Sequence, residues 1–129
     1  MIFAGKRPTN LGVNSGKLAA CPNTPNCVSS QSSDIHSIAP LTYDSTPEQA
    51  IAKLKSVIQS LPRTTIITKS QDYLYAEFKS ALMGFVDDVE FYLDRNANVI
   101  QVRSASRLGQ SDLGVNRKRI ETIRAKLAE

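Results

Sequence analysis

Tryptophan is absent from this chain of 129 residues, histidine occurs once and cysteine twice. Each shortage closes off some chemistry. One histidine and two cysteines leave a structural zinc site short of its usual soft ligands, and nothing in the chain implies a metal or another cofactor. Aromatic residues are few, at 6%. The longest uninterrupted apolar stretch, Ala81-Leu-Met-Gly-Phe-Val86, is far shorter than the roughly 20 residues that cross a bilayer. No transmembrane segment is expected, and the first residues lack the charged-then-apolar pattern of an export signal. What remains is ordinary in amount, 41% hydrophobic and 22% charged, and enough for one soluble domain with a real core.

The formal charge of +4 is unevenly placed. Residues 47–100 are slightly acidic, whereas 101–129 hold Arg103, Arg107, Arg117, Lys118, Arg119, Arg124 and Lys126 against Asp112, Glu121 and Glu129. A basic C-terminal segment suits an acidic ligand, an anionic lipid or nucleic acid. It also suits a solvated helix face that balances the acidic middle. Nucleic acid is disfavoured, because the cations spread around the predicted helix instead of forming one stripe.

Residues 1–37 show neither helical nor strand periodicity, and Pro8, Gly12, Gly16, Pro22 and Pro25 break them into turns. The run is too long for an ordinary connection. It reads as an irregular N-terminal arm wrapping a single α+β domain over 38–129, with Cys21 and Cys27 pinning it to the body.

Thr46-Pro47-Glu48-Gln49 reads as a capping box with proline at the first helical position. Ala50, Ile51, Leu54, Val57, Ile58 and Leu61 then recur at helical spacing until Pro62 stops them. Before that helix, Ile38–Tyr43 is an edge-strand candidate, since Pro40 excludes a central position. Strands are predicted at 64–69, 73–79, 88–94 and 99–105. In the last hairpin, apolar matching sets Phe91 opposite Val102 and Leu93 opposite Ile100, with Glu90 opposite Arg103 and Tyr92 opposite Gln101 on the other face. A one-residue slip would turn both apolar sets outward. A final helix starts near Ser111 or Asp112, or near Asn116 because Gly114 weakens the first turn. Leu113, Ile120, Ile123 and Leu127 form its predicted buried stripe. The order implies a mostly antiparallel sheet of four or five strands with both helices packed on one face. The other face, with Tyr73, Tyr75, Glu77, Glu90, Tyr92, Gln101 and Arg103, is expected to be open. An exposed Arg103–Glu90 pair there contributes only about 0–1 kcal/mol.

Cys21-Pro-Asn-Thr-Pro-Asn-Cys27 has neither zinc-knuckle nor thioredoxin spacing. A structural disulfide, a pair of buried thiols and a metal or redox role are the readings it allows, in that order. His36 and Cys27 form only a weak candidate nucleophile–base pair, and His36 reads better as a surface histidine. Asp87 and Asp88, adjacent on a strand, point to opposite faces and make a poor acid pair. Glu90 has Arg103 opposite, and Asp94 sits beside a turn.

The segment Arg103-Ser-Ala-Ser-Arg107-Leu-Gly-Gln-Ser-Asp112-Leu-Gly-Val-Asn-Arg117 carries the strongest signal for a site. Glycines at a strand-to-helix junction let backbone N–H groups approach an anion, and Arg107 with Gly109 and Ser111 would face it. Asp112 opposes this, because an aspartate in the first turn already satisfies the helix dipole. The competing reading is an internal ion network of Arg103, Arg107 and Arg117 with Asp112 and Glu90.

Arg7-Pro-Thr-Asn-Leu-Gly12, Cys21 to Ser30, Arg103-Ser-Ala-Ser-Arg107 and Asp112-Leu-Gly-Val-Asn-Arg117 together resemble the domain-of-unknown-function family 1499, over almost the whole chain. The resemblance implies that both cysteines and the arginine–aspartate junction belong to the family pattern; it implies no activity. Relatives occur in bacteria, cyanobacteria and plastids, some with targeting segments. An exported compartment, periplasm or thylakoid lumen, would fit this chain if such a segment had been removed.

The leading expectation is a non-catalytic module for an anionic small molecule, a lipid headgroup or a protein partner. Arg103, Arg107 and Arg117 would supply charge, Asp112 and Glu90 would position them, and Tyr75 and Tyr92 would form apolar walls. The alternative is an enzyme on an anionic substrate, in which arginines stabilise charge and a carboxylate with a raised pKa acts as base.

Overall fold

The computed structural model describes residues 4–129. A short strand β1 (Cys27–Ser29) is followed by helix α1 (Pro47–Gln59), strands β2 (Thr64–Lys69), β3 (Tyr73–Lys79), β4 (Val86–Asp94) and β5 (Val99–Ser106), and helix α2 (Val115–Leu127). The five strands form one antiparallel sheet in the order β1-β5-β4-β3-β2.

Helix α1 starts as its capping box requires. Thr46 Oγ1 accepts from the Gln49 amide at 3.1 Å, and the Gln49 side chain accepts from the Thr46 amide at 3.2 Å. Two donors at the helix start are thereby satisfied, an arrangement whose loss costs about 1 kcal/mol. The hairpin between β4 and β5 turns through Asn98, which takes the left-handed conformation at φ 59. Its register sets Phe91 against Val102, Leu93 against Ile100, Glu90 against Arg103 and Tyr92 against Gln101, as alternation dictates.

One sheet face carries Leu74, Ala76, Phe78, Val89, Phe91, Leu93, Ile100 and Val102 into a core shared with Ala50, Ile51, Leu54 and Ile58 of α1 and Ile120 and Ile123 of α2. Both helices therefore pack on that face. Truncating a residue such as Phe91 or Leu54, which has no solvent exposure, would cost about 3 kcal/mol or more.

Three expectations need correction. The edge strand beside β5 is Cys27–Ser29, inside the segment read as irregular. Ile38–Tyr43 makes only an isolated bridge, Leu41 to Ile100. Pro40 lacks the amide that continued pairing needs. Leu113 is 92% exposed and lies outside α2, at φ 55, because the chain turns through a left-handed pair with Gly114 before the helix begins. The polar sheet face, finally, is not open. Residues 4–20 run across it, so Glu90 and Arg103 are buried and Tyr75 is 2% exposed.

Candidate functional site

The covered face is a network of charges held by backbone. Glu90 Oε2 accepts from the Gly12 amide at 2.7 Å and from the Tyr73 hydroxyl at 2.5 Å. Its other oxygen lies 3.9 Å from Arg103 Nη1 and, like Arg103 Nε, has no hydrogen-bond partner among the described residues. Arg103 reaches the Ala20 carbonyl at 3.4 Å. Burial pushes its pKa down against the opposing pull of Glu90 and Asp88.

Beside this pair, Arg107 grips Asp88 with two bonds, Nη2 to Oδ1 at 2.6 Å and Nε to Oδ2 at 3.1 Å, and Glu77 with a third at 2.8 Å. Its remaining nitrogen points to the carbonyls of Ala4 and Gly5. Planar two-point pairing of this kind is the strong form of a charge-assisted bond. Arg7 closes on Glu77 at 2.7 Å, and the single proton of the Tyr75 hydroxyl is shared between Asp88 Oδ1 at 2.6 Å, the shorter contact, and Glu77 Oε2 at 3.0 Å. Burial lifts the Tyr75 pKa, aided by those carboxylates. Burial also works to raise Glu77, but the bonds from Arg7, Arg107 and Tyr75 prevail and bring it to about 2.

At the start of α2 the organising residue is Asn116, fully buried. The two protons of its amide nitrogen are shared among Asp112 Oδ2 at 2.7 Å, Ser106 Oγ at 3.0 Å and the Asn26 carbonyl at 3.2 Å, while its oxygen accepts from Ser104 and Arg119. Asp112 bonds the Gly114 and Asn116 amides, so it caps the helix instead of joining an arginine network. Those bonds hold its pKa low although burial opposes them. Arg119 spans Asp87 at 2.6 Å and lies over the Phe78 ring at 4.8 Å. Asp87 and Asp88 thus leave β4 on opposite faces, as alternation requires. Burial raises the Asp87 pKa, and Arg119 counters it.

Arg117 stands apart from Arg103 and Arg107, donating to the carbonyls of Ser37 and Ile35. It shares a cleft of about 290 Å³ with Asp112, His36, Cys27 and Leu113. Cys21 and Cys27 are at disulfide distance, 2.07 Å between sulfurs, so Cys27 offers no free thiol to His36. His36 is a buried histidine, not a surface one, with Nδ1 2.8 Å from Asp34 Oδ1 and Nε2 3.0 Å from the Thr24 carbonyl. Two acceptors around one ring favour the imidazolium, and the His36 pKa is raised, first by Thr24 and then by Asp34.

A larger cleft, about 660 Å³, opens at the other end of the sheet. Leu41, Ala50, Ile100 and Leu127 give it apolar walls, Thr42, Tyr43 and Ser45 add polar groups, and Lys53 and Arg124 bring two cations against the one carboxylate of Asp44. Lys53 bonds the main-chain oxygens of Leu127 and Glu129, and Arg124 those of Ala39 and Pro40, with Glu121 as its ion partner.

The predicted residues therefore divide. Arg103, Arg107, Glu90 and Tyr75 come together beneath residues 4–20, Arg117 and Asp112 meet at the smaller cleft, and Tyr92 is half-buried on the sheet. Asn116, Arg119, Lys53 and Arg124 are the site residues that sequence reasoning missed. Among the described residues no group of three His, Cys, Asp or Glu side chains is placed to hold a metal ion, and no helix is long and apolar enough to cross a membrane.

Compared with known families, the chain matches over residues 17–127 the one described as Protein of unknown function (DUF1499). No curated protein matches it.

Proposed function

The chain belongs to the DUF1499 family, the match covering residues 17–127, and from the geometry of the larger cleft we propose that it is a non-catalytic module binding an anionic small molecule with an apolar body. The observation that carries this is the placing of Lys53 and Arg124 beside an apolar lining in the 660 Å³ cleft. A large apolar pocket with a few convergent polar groups is the usual form of a small-molecule site. Lys53 is held by the main-chain oxygens of Leu127 and Glu129 at the end of α2, and an incoming carboxylate or phosphate would compete with them for its charge. Arg103 and Arg107, by contrast, are already engaged under the arm, and a ligand there would have to displace that segment.

Titration calorimetry with decanoate, decyl phosphate and decanol tests the reading. Both anions should bind and the alcohol should not, and Lys53→Ala with Arg124→Ala should weaken the anions by about tenfold or more. Absence of binding by either anion, or binding that ignores the double substitution, would remove the cleft as a site.

The enzyme alternative draws support from Asp87, a buried carboxylate with a raised pKa beside Arg119. Neither residue lines either cleft, and binding is the better-supported reading.

A further inference from the structure

Opposite the larger cleft, the β3–β4 connection and the β5–α2 connection emerge side by side, because Asp87 pairs with Ser106 and the Arg107 amide donates to the Val86 carbonyl. Both put large apolar side chains into solvent. Leu82 is 90% exposed and Leu113 92%, with Met83, Leu108 and Val115 each more than 40% exposed. Scattered apolar residues on a surface mean little, but four on two neighbouring loops, with Val115 at the adjoining start of α2, mark an interaction surface at one end of the sheet. Leu82, Met83 and Leu108 line neither of the two clefts described above, whereas Leu113 stands at the rim of the smaller one. Protruding tips of this kind suit a deformable partner that closes around them better than a rigid one that must match them.

Charge selects among such partners. Exposed Lys6, Arg63, Lys79 and Lys118 flank the tips. Lys6 adjoins Gly5, which sits against Leu108; Lys79 and Arg63 close the same ends of β3 and β2; Lys118 is one turn into α2. The carboxylates at this end are engaged: Glu77 and Asp88 by Arg107, Asp87 by Arg119, and Asp112 by the amides of Gly114 and Asn116. Internal pairing leaves the exposed cations as the charge that a partner meets. Apolar tips flanked by lysine and arginine are complementary to an anionic lipid surface, where the cations meet headgroups and the tips enter the acyl boundary.

We propose that this end of the sheet docks on an anionic bilayer, with Leu82, Met83 and Leu113 entering it and Lys79 and Lys118 meeting its headgroups. The proposal does not depend on the cleft at the far end, whose substitutions leave this surface untouched.

Vesicle flotation of the full chain tests it, using phosphatidylcholine alone and phosphatidylcholine with about one third phosphatidylglycerol. The protein should float with the anionic vesicles and not the neutral ones. Leu82→Ser, Met83→Ser and Leu113→Ser together should lower the partition by roughly tenfold or more, and Lys79→Glu with Lys118→Glu should abolish the preference for anionic lipid. The substituted side chains are exposed, and circular dichroism of each variant verifies the fold. Failure to float, equal flotation on both vesicles, or unchanged flotation of the triple variant would overturn the proposal. So would a dimer in size-exclusion chromatography that the triple variant dissolves while vesicles remain unbound, because the tips would then be covered by a second copy.

Discussion

Arg103 and Glu90 are direct neighbours across β5 and β4, yet their charged groups stand 3.9 Å apart, buried beneath the contacts from Gly12 and Ala20. Glu90 directs one oxygen to the Gly12 amide and the Tyr73 hydroxyl, and its other oxygen and Arg103 Nε have no hydrogen-bond partner among the described residues. Desolvation of a buried pair rivals its attraction unless the geometry is good. The pair therefore adds little net stability, while removing one member strands the other.

That asymmetry is measurable. Arg103→Met leaves Glu90 buried without its cation and should destabilise the protein by about 3 kcal/mol. Adding Glu90→Gln keeps an oxygen for Gly12 and Tyr73 but removes the stranded charge, and should recover most of the loss. Urea unfolding of the two single variants and the double variant forms the cycle; equal instability of Arg103→Met and the double variant would show that charge is not the cause.

Glu77 sets the acid limit of the same face. Its pKa falls from 4.5 to about 2 because the bonds from Arg7, Arg107 and Tyr75 outweigh burial. A depressed carboxylate contributes stability that is present above its unfolded value and lost as pH falls through the folded one. The stability advantage of the native protein over Glu77→Gln should accordingly hold above pH 4.5 and shrink as the pH is lowered toward 2. Urea midpoints of both proteins across that range decide it; a constant difference would place the contribution elsewhere.

How far the sequence can be read depends on what carries the information. Alternation and helical spacing are written in side-chain polarity, so the register of Phe91 and Leu93 against Val102 and Ile100 followed from them. The cover had no such code. Residues 4–20 lack a period, and their path is set by single bonds such as Gly12 to Glu90 that need the folded sheet to exist first. The same absence left the Arg103–Glu90 pair expected in solvent. Asn116 did have a signal, since it precedes Ile120, Ile123 and Leu127 at helical spacing. A polar residue on a buried stripe must be satisfied inside. Lys53 had none: nothing along α1 marks it out from Lys55, and only the approach of α2 gives it the oxygens of Leu127 and Glu129.

The cysteine loop makes a separate prediction. Cys27 belongs to β1, a three-residue edge strand, and Cys21 ties the preceding turn to it. Closing so small a loop stabilises by about 2.4 kcal/mol in the chain-entropy description. Cys21→Ser with Cys27→Ser should lower unfolding free energy by roughly that amount. Amide exchange should rise first at Cys27–Ser29 and along the facing part of β5, with the β3–β4 ladder keeping its protection. Uniform loss of protection over the sheet would mean that the bridge supports more than its edge.

His36 gives the opposite dependence on pH. Its ring nitrogens face the Thr24 carbonyl and the Asp34 carboxylate, two acceptors that only a doubly protonated ring can satisfy together. Burial and Arg117 oppose protonation, but Thr24 and Asp34 prevail, and the pKa is raised above 6.5. Asp34 stays ionised through this range, its pKa held low by Ser32 and by the His36 amide and ring. A raised histidine contributes stability in full below its unfolded pKa and loses it as pH rises through the folded value. The native protein should therefore exceed His36→Gln in stability most clearly below pH 6.5, with the gap closing in alkaline solution. Ring nitrogen shifts in NMR should show the imidazolium persisting above pH 6.5. A neutral ring at that pH, or a gap that widens with alkali, would mean that one of the two acceptors is held by another donor and that His36 does not clamp the turn.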